Sequence, residues 1–203
     1  MKKIAVLALA TLFLVSCKKE EKTAVVVEEP TGLQIISDST QVNWTAYKTT
    51  DKVGVNGKFT QLELKNTQSG DTPEAVLEGA SFSIPVSSLF TNDSDRDSKL
   101  KQFFFGVLKN TEMIGGTFNF REGKCFMTLT LNDVTKQLEV AHTFSNNKFT
   151  VNHTLNLEDF GALGAVESIN KVCFDLHKGP DGVSKTWADV NLYISTTLKE
   201  KCD

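Results

Sequence analysis

The chain has 203 residues, a formal net charge of −3, and 14 phenylalanines against two tryptophans and two tyrosines. This length suits one domain with a sizeable hydrophobic core, preceded or followed by a tail. The slightly acidic balance and the lack of a basic stripe argue against nucleic-acid binding.

The first sixteen residues are typical of a bacterial export signal. Lys2-Lys3 precedes an apolar run over 4–13 that is short for a membrane span. The sequence LVSC follows at 14–17 and resembles the lipobox of bacterial lipoproteins, in which the cysteine is lipidated. We therefore predict a signal peptide over 1–16 and a lipid anchor at Cys17. The predicted location is the cell envelope, on the outer membrane, at its periplasmic face or at the cell surface.

Residues 17–32 are predicted to form a polar tether, and the folded domain is expected over 33–203. The run KKEEK directly after Cys17 is similar to the surface-export signals of Bacteroidetes lipoproteins, and it is equally typical of a solvated linker. Glu28-Glu29-Pro30 favours an extended chain.

Beyond Leu33, alternating apolar and polar residues predict about eight or nine strands separated by turns. Gly57 indicates a bulge or bend. Asn132-Asp133 and Ser145-Asn146-Asn147 are typical of tight turns that tolerate left-handed backbone. A short turn or helix is expected from Leu157 to Val166. The strands are predicted within 34–48, 52–65, 76–86, 117–120, 124–132, 136–143, 148–156, 171–177 and 187–198.

The stretch from residue 87 to 108 predicts a polar loop followed by a helix rich in phenylalanine. Asp95 or Asp97 is expected to cap this helix, and Arg96 is expected to pair with Asp97. Such a helix can act as a lid over an apolar interior. Its apolar stripe follows the spacing i, i+3, i+4, i+7 and i+8 at Leu100, Phe103, Phe104, Val107 and Leu108.

The residues of this region resemble the signature of the YceI-like family, in which an Arg-Asp pair, a Leu-Lys and a double Phe follow a strand. Similar elements are VNGKF at 55–59, LTLNDVTKQLEV at 129–140, with Asp133 where the family usually has Gly, and DFG at 159–161. The resemblance covers roughly residues 33–198. The matching residues of the signature are Ser88, Leu89, Thr91, Arg96, Asp97, Leu100, Lys101, Phe103 and Phe104.

The resemblance implies a mainly β fold, namely an antiparallel, eight-stranded, lipocalin-like β-barrel with a short helix at its mouth. It also implies binding of an isoprenoid or other amphiphilic lipid, and a barrel of eight strands is just wide enough for one small ligand. Which strand faces point inward stays open, because a slip of one residue exchanges them. Arg96 and Lys101 are the candidates for contact with the head group. The candidates for the bore and lid are Phe82, Ile84, Val86, Phe103, Phe104, Phe118, Phe120, Leu129, Leu131 and Phe149.

Two other functions stay open. One is a structural or interaction protein of the envelope whose barrel is filled with side chains. The other is a small-molecule hydrolase or isomerase, which is disfavoured because the sequence carries no nucleophile motif and no paired acids in an apolar setting. We therefore predict a binding protein and not an enzyme, with no cofactor other than a bound lipid. A homodimer is left open as the oligomeric state.

Metal binding is not predicted. His142 and His153 are expected to face each other across a hairpin, with Asp175 and His177 as further candidates, but a zinc site needs more ligands at a fixed spacing. The residues from Asp93 onward lack the glycine and the terminal glutamate of a calcium loop.

Three cysteines remain beyond the lipobox. In an oxidising compartment two of them can pair, and both Cys173–Cys202 and Cys125–Cys173 stay open. Without a CxxC motif the cysteines indicate stability and not redox chemistry.

Overall fold

The computed structural model describes residues 32–36 and 38–201. The predicted signal peptide, Cys17, nearly all of the tether and Cys202 lie outside the described residues. The strands are β1 (Leu33–Ile35), β2 (Gln41–Lys48), β3 (Val53–Phe59), β4 (Glu63–Lys65), β5 (Ser81–Pro85), β6 (Leu89–Phe90), β7 (Met113–Arg121), β8 (Lys124–Leu131), β9 (Val134–Ser145), β10 (Lys148–Asn156) and β11 (Thr186–Glu200). The α-helices are α1 (Pro73–Leu77), α2 (Ser94–Lys99) and α3 (Leu163–Val172).

These strands form one antiparallel sheet that curls on itself. Its order is β4-β5-β7-β8-β9-β10-β11-β2-β3-β6, and β1 pairs with the C-terminal part of β11. The predicted antiparallel, lipocalin-like fold is confirmed. The described chain has eleven strands in place of eight or nine because β1, β4 and β6 are pieces of only two or three residues.

The two ends of the sheet are joined through the chain itself. β5 lies next to the end strand β4, whereas β6 pairs with β3 at the opposite end of the sheet order. Only the 3₁₀ turn Val86–Ser88 separates β5 from β6. The side chain of Ser88 fixes this turn by donating to the carbonyl oxygen of Pro85 at 2.7 Å. The sheet therefore curls far enough to bring the end that holds β4 and β5 close to the end that holds β3 and β6.

The barrel has a mouth end and a base end. At the mouth, the turn between β2 and β3 packs on the connection between α3 and β11, where Trp187 Nε1 donates to the carbonyl oxygen of Thr49 at 2.8 Å. At the base lie α1, β1 and the turn between β9 and β10, and there the Leu198 amide donates to the carbonyl oxygen of Asn147 at 2.8 Å.

The buried core of the described chain lies between Val42 and Leu198. A shortened chain over 24–203 keeps every described strand and helix together with this core, and it lacks the lipobox. No helix in the described ranges is both long and apolar enough to cross a bilayer.

Two tight turns have the backbone that the sequence predicts. Asn132 and Asp133 connect β8 to β9, and Asn146 and Asn147 connect β9 to β10; all four have φ between 51° and 60°. A two-residue hairpin turn needs two successive residues with left-handed backbone. Asn and Asp adopt that backbone conformation at low cost. Asp133 therefore adopts the left-handed backbone of this turn, and no glycine is needed there.

Two predicted strands are wrong in whole or in part, and the bulge suggested at Gly57 is absent. The strand over 76–86 begins instead with α1, which Thr72 caps by accepting from the Ala75 amide at 3.2 Å. The strand over 171–177 is the end of α3 and a 3₁₀ turn, Asp175–His177. Gly57 lies in a continuous register between β2 and β3 and forms no bulge. The described register shift lies in β11, between Thr186 and Val190.

The lid is less regular than predicted. α2 leads into a π-helical turn, Leu100–Phe104, and a 3₁₀ turn, Phe105–Val107. Asp93, and not Asp95 or Asp97, caps α2 by accepting from the Arg96 amide at 3.0 Å. That hydrogen bond is the main reason why the pKa of Asp93 lies below its usual value. Arg96 also pairs with Asp93, at 3.3 Å, so the predicted pair with Asp97 is wrong.

Asp97 has a different role in the loop. Its carboxylate accepts from the amide and the hydroxyl of Thr91, at 2.8 and 2.7 Å. These two bonds hold the start of the loop against α2, which fixes the position of the lid relative to β6.

Candidate functional site

A cavity of about 420 Å³ lies inside the barrel. Alternate residues of the strands point into it, and this fixes the inward face that the sequence leaves open. From β2 these are Val42, Trp44 and Ala46, and from β8 they are Met127, Leu129 and Leu131. β11, which pairs with β2, contributes Val190, Leu192 and Ile194 to the same wall. The interior is therefore lined mainly by aliphatic and aromatic side chains.

Two aromatic rings of the wall lie over glycines of the neighbouring strand. Trp44 is opposite Gly57, and Phe82 is opposite Gly116. A methyl group on either glycine would overlap the facing ring. Each glycine therefore lets a large ring lie flat against the sheet, which leaves space in the middle of the barrel.

The lid places two phenylalanines over the cavity. Phe104 and Phe105 line the cavity and pack edge to face, with ring centroids 5.0 Å apart. Phe105 also packs on Phe59 of β3, at 6.3 Å. Lys101 Nζ donates to the carbonyl oxygen of Ser87 at 2.8 Å and ties the lid to the turn that joins β5 and β6.

α3 forms a part of the cavity wall that the sequence analysis missed. Its inner side contributes Val166 and Ile169, followed by Cys173 just after the helix. The signal was present, because Ala162, Val166, Ile169 and Cys173 follow a helical spacing. The alternation of apolar residues from Val172 to Leu176 imitates a strand and hides the end of this helix.

Charged side chains gather where the cavity opens. Lys48, Arg96 and Lys99 line this region together with Asp93 and Asp95. Burial raises the pKa of the Cys173 thiol, whereas Lys99, Lys48 and Arg96 act in the opposite direction, so the three cations lie around that thiol. The site is thus apolar inside and mixed in charge, with three cations and two carboxylates, at its mouth.

His177 is a neutral hydrogen-bonding group at the mouth. Burial, and then the charge of Lys48, lowers its pKa to about 4. The Thr186 hydroxyl donates to Asn170 Oδ1 at 2.9 Å, and it lies 2.7 Å from His177 Nδ1. Since the hydroxyl hydrogen is engaged, Nδ1 is the donor of that pair, and Nε2 keeps a free lone pair.

Six of the twelve predicted bore, lid and head-group residues line the cavity, and six lie elsewhere. Val86 is buried in the turn between β5 and β6, Phe118 packs on Phe82 at 5.4 Å, and Phe103 is partly buried in the lid. Phe120 and Phe149 lie in the core, with their ring centroids 6.0 Å apart. Lys101 donates a hydrogen bond to the backbone of Ser87. The six in the lining are Phe82, Ile84, Arg96, Phe104, Leu129 and Leu131.

The two histidines of the hairpin do not face each other, so that prediction is wrong. With the turn at Asn146 and Asn147, His142 pairs with Val151, while His153 lies opposite Leu192 on β11. His142 packs instead on the rings of Phe120 and Phe149, each with its centroid 5.7 Å away. Within 32–36 and 38–201, no group of three or more His, Cys, Asp or Glu residues could hold a metal ion.

Cys125 and Cys173 are both buried free thiols, so the pairing between them that the sequence leaves open does not form. Cys125 lies near α1, where burial and then Glu74 and Glu78 raise its thiol pKa to about 12. Cys173 lies at the mouth among cations. The partner in the other predicted pairing, Cys202, is outside the described residues.

Solved structures share this fold. A polyisoprenoid binding domain from Saccharophagus degradans has 12% sequence identity and a TM-score of 0.60, and the match covers 85% of this chain and 100% of that one. BcnA from Burkholderia cenocepacia has 12% identity and a TM-score of 0.54, with 81% and 99% covered. A YceI protein from Campylobacter jejuni has 20% identity and a TM-score of 0.51, with 74% and 87% covered.

A search of curated proteins gave no match. The family model described as the YceI-like domain matches residues 33–198, which include all eleven strands except the last two residues of β11. The chain belongs to the YceI-like family.

Proposed function

We propose that the protein binds one isoprenoid or similar amphiphilic lipid, with its apolar chain inside the barrel and its polar head at the mouth. The observation that carries the proposal is the apolar cavity of about 420 Å³ beneath a phenylalanine lid. Sites for small molecules are mostly apolar clefts of about 300–1,000 Å³ with a few polar groups that fix orientation. The solved domain from Saccharophagus degradans, described as polyisoprenoid binding, supports this class of ligand.

The chemistry of the lining favours an amphiphile over a fully polar ligand. Burying an alkyl or isoprenoid chain against this wall gains about 25 cal/mol per Å² of apolar surface. A polar group in the same place would lose its hydration without a partner. The cavity argues against the alternative of a barrel filled with side chains, because protein interiors normally leave few voids larger than a water molecule.

Arg96 remains the candidate for contact with the head group. It lines the cavity opening, and Lys48 and Lys99 lie in the same lining. Those two lysines replace Lys101 in this role, since Lys101 does not line the cavity. His177 adds an acceptor, because its pKa of about 4 keeps the ring neutral.

The proposal includes an anchored location. The sequence LVSC at 14–17 supports lipidation of Cys17 and attachment to the outer membrane of the cell envelope. The proposed role is a binding protein or carrier at that membrane, and no reaction is assigned to it.

Trp44 provides a built-in reporter for this proposal. In the 24–203 chain, Trp187→Phe leaves Trp44 as the one tryptophan, and that side chain lines the cavity. Adding geranylgeraniol is expected to change its fluorescence in a saturable way.

Two variants control for binding outside the cavity. Ala46→Phe, which places a ring in the cavity, should abolish the fluorescence response to geranylgeraniol. Ala141→Phe, on an exposed position of β9, should retain it. Equal responses from both variants would contradict binding in the barrel.

A further inference from the structure

A cluster of exposed apolar side chains lies beside the mouth. Val172, Phe174, Leu176 and Val183 have 40%, 50%, 60% and 50% of their surfaces exposed, and all four fall within twelve consecutive residues. Apolar side chains of this size are usually buried, and a contiguous exposed group indicates a contact with a membrane or another molecule. We call the segment 171–187, with the neighbouring turn at 47–53, the mouth patch.

The mouth patch is held in shape by its own hydrogen bonds. The Gly179 amide donates to the Val183 carbonyl oxygen at 2.9 Å, and the Lys185 amide donates to the His177 carbonyl oxygen at 3.1 Å. The Thr49 amide donates to the Lys185 carbonyl oxygen at 2.9 Å and joins the two parts of the patch. Its apolar side chains are therefore presented outward by an ordered backbone.

Lysines lie among these apolar groups. Lys178 Nζ is 5.0 Å from the ring centroid of Phe174, and Lys185 Nζ is 3.5 Å from that of Trp187. Lysine stems can cover apolar surface while the ammonium group reaches a polar layer. The mouth patch carries five lysines and three aspartates, which gives it a formal charge of +2, whereas the whole chain has a formal charge of −3. These residues are Lys48, Lys52, Lys171, Lys178, Lys185, Asp51, Asp175 and Asp181.

The mouth patch is continuous with the opening of the cavity. Leu176, which is the most exposed apolar residue of the patch, also lines the cavity, as do Tyr47 and Trp187. Lys48 Nζ donates to the Leu176 carbonyl oxygen at 3.0 Å, so a basic group lies directly at this edge. A molecule that leaves the cavity at this point passes over the patch.

We propose that the mouth patch docks on the surface of a lipid bilayer that carries anionic head groups. Phe174 and Leu176 insert among the upper acyl chains, and Lys178 and Lys185 contact the head groups. Interfacial segments bind membranes in this way, by inserting apolar side chains and by the attraction of basic side chains to anionic lipids. Docking brings the cavity opening against the bilayer, so that an amphiphile can move between the two without crossing water. The contact is separate from the predicted anchor at Cys17.

Flotation of the 24–203 chain with vesicles tests the docking without the anchor. The wild type is expected to float with vesicles of phosphatidylcholine and phosphatidylglycerol, and less with phosphatidylcholine alone. Phe174→Ser with Leu176→Ser should weaken binding to the mixed vesicles about tenfold or more. Lys178→Glu with Lys185→Glu should remove the preference for the anionic vesicles.

The matched control is Phe144→Ser with Tyr193→Ser, which removes two exposed aromatic groups away from the mouth. This variant should float like the wild type. Equal loss in the two serine variants, or no flotation of the wild type, would overturn the proposal. A dimer in sedimentation velocity that Phe174→Ser with Leu176→Ser dissociates would also overturn it, by assigning the patch to a second copy of the chain. The fluorescence response of Trp44 to geranylgeraniol is measured on the lysine variant and on Phe174→Ser alone, which leaves Leu176 of the cavity lining in place, so that failure of docking is distinguished from failure of ligand binding.

Discussion

The indole of Trp44 lies over the backbone of Gly57, its cross-strand neighbour on β3. A side chain at position 57 would need the space that the ring occupies. The same arrangement recurs where Phe82 covers Gly116. Both rings line the cavity, so the two glycines influence how the barrel packs and how much space remains inside it.

We expect Gly57→Ala to destabilise the protein by about 1–3 kcal/mol, the usual range for overpacking a core. The added methyl group would overlap Trp44 and force the ring to move. The control is Gly115→Ala, where a methyl group would meet the Phe82 carbonyl oxygen at 3.5 Å, an ordinary contact. Urea unfolding of the 24–203 chain measures both free energies, and equal values would contradict the role given to Gly57.

The cap of α2 is expected at Asp93 and not at Asp95. Asp93→Ala should lower the free energy of unfolding, because the Arg96 amide loses its acceptor. Asp95→Ala removes an exposed carboxylate of the first turn and should have a smaller effect. Thermal unfolding of the two variants under the same conditions measures the difference. A larger loss for Asp95→Ala would show that the helix begins elsewhere.

Stability is expected to fall as the pH drops from about 6.5 to about 4. The pKa of His177 in the folded chain is lowered from 6.5 to about 4, mainly by burial. The unfolded chain therefore binds more protons than the folded chain in this range, which favours unfolding. His177→Gln should flatten this part of the curve of unfolding free energy against pH. Burial also lowers the pKa of His153, so His177→Gln with His153→Gln should flatten it further. An unchanged slope in both variants would contradict the assignment.

The two buried thiols are expected to report on different parts of the barrel. In a Cys202→Ser form of the 24–203 chain, N-ethylmaleimide should reach Cys173 before Cys125, because Cys173 lines the cavity. Cys125 should react only on unfolding, since its pKa is about 12 and it is fully buried.

Geranylgeraniol should slow the reaction at Cys173 and leave Cys125 unchanged. Peptide mass spectrometry of one sample measures both sites, so Cys125 is an internal control. If saturating geranylgeraniol leaves the labelling rate of Cys173 unchanged, this would contradict a ligand in the cavity.

The sequence predicts a strand best where one of its faces is apolar and where the residues of the adjoining turn favour one turn type. The alternation in β8 and β10 and the paired asparagines between β9 and β10 fix those strands almost to the residue. Short-range patterns do not separate a strand from the end of a helix, so the alternation from Val172 to Leu176 predicts a strand where the structure has the end of α3 and a 3₁₀ turn. The sequence favours Asp95 or Asp97 as the cap of α2, and only the path of the loop selects Asp93 instead.

The sequence predicts the kind of candidate site, an apolar interior of the barrel, and only some of the residues that line it. Alternation correctly groups Phe82 with Ile84 and Leu129 with Leu131. Alternation does not show how far along the barrel each residue lies. It therefore predicts Phe120 and Phe149 in the bore, although both pack on His142 near the base. The contributions of α3 and of Lys48 depend on long-range packing that no local pattern encodes.

The most direct test of the central claim is extraction of the purified 24–203 chain with organic solvent, followed by mass spectrometry. We expect one amphiphilic lipid per protein in the wild type and in Ala141→Phe, and little or none in Ala46→Phe, whose added ring occupies the cavity. A wild-type protein that yields no lipid and takes up no added geranylgeraniol would contradict the proposed function. Equal amounts of lipid in all three proteins would contradict its placement in the barrel.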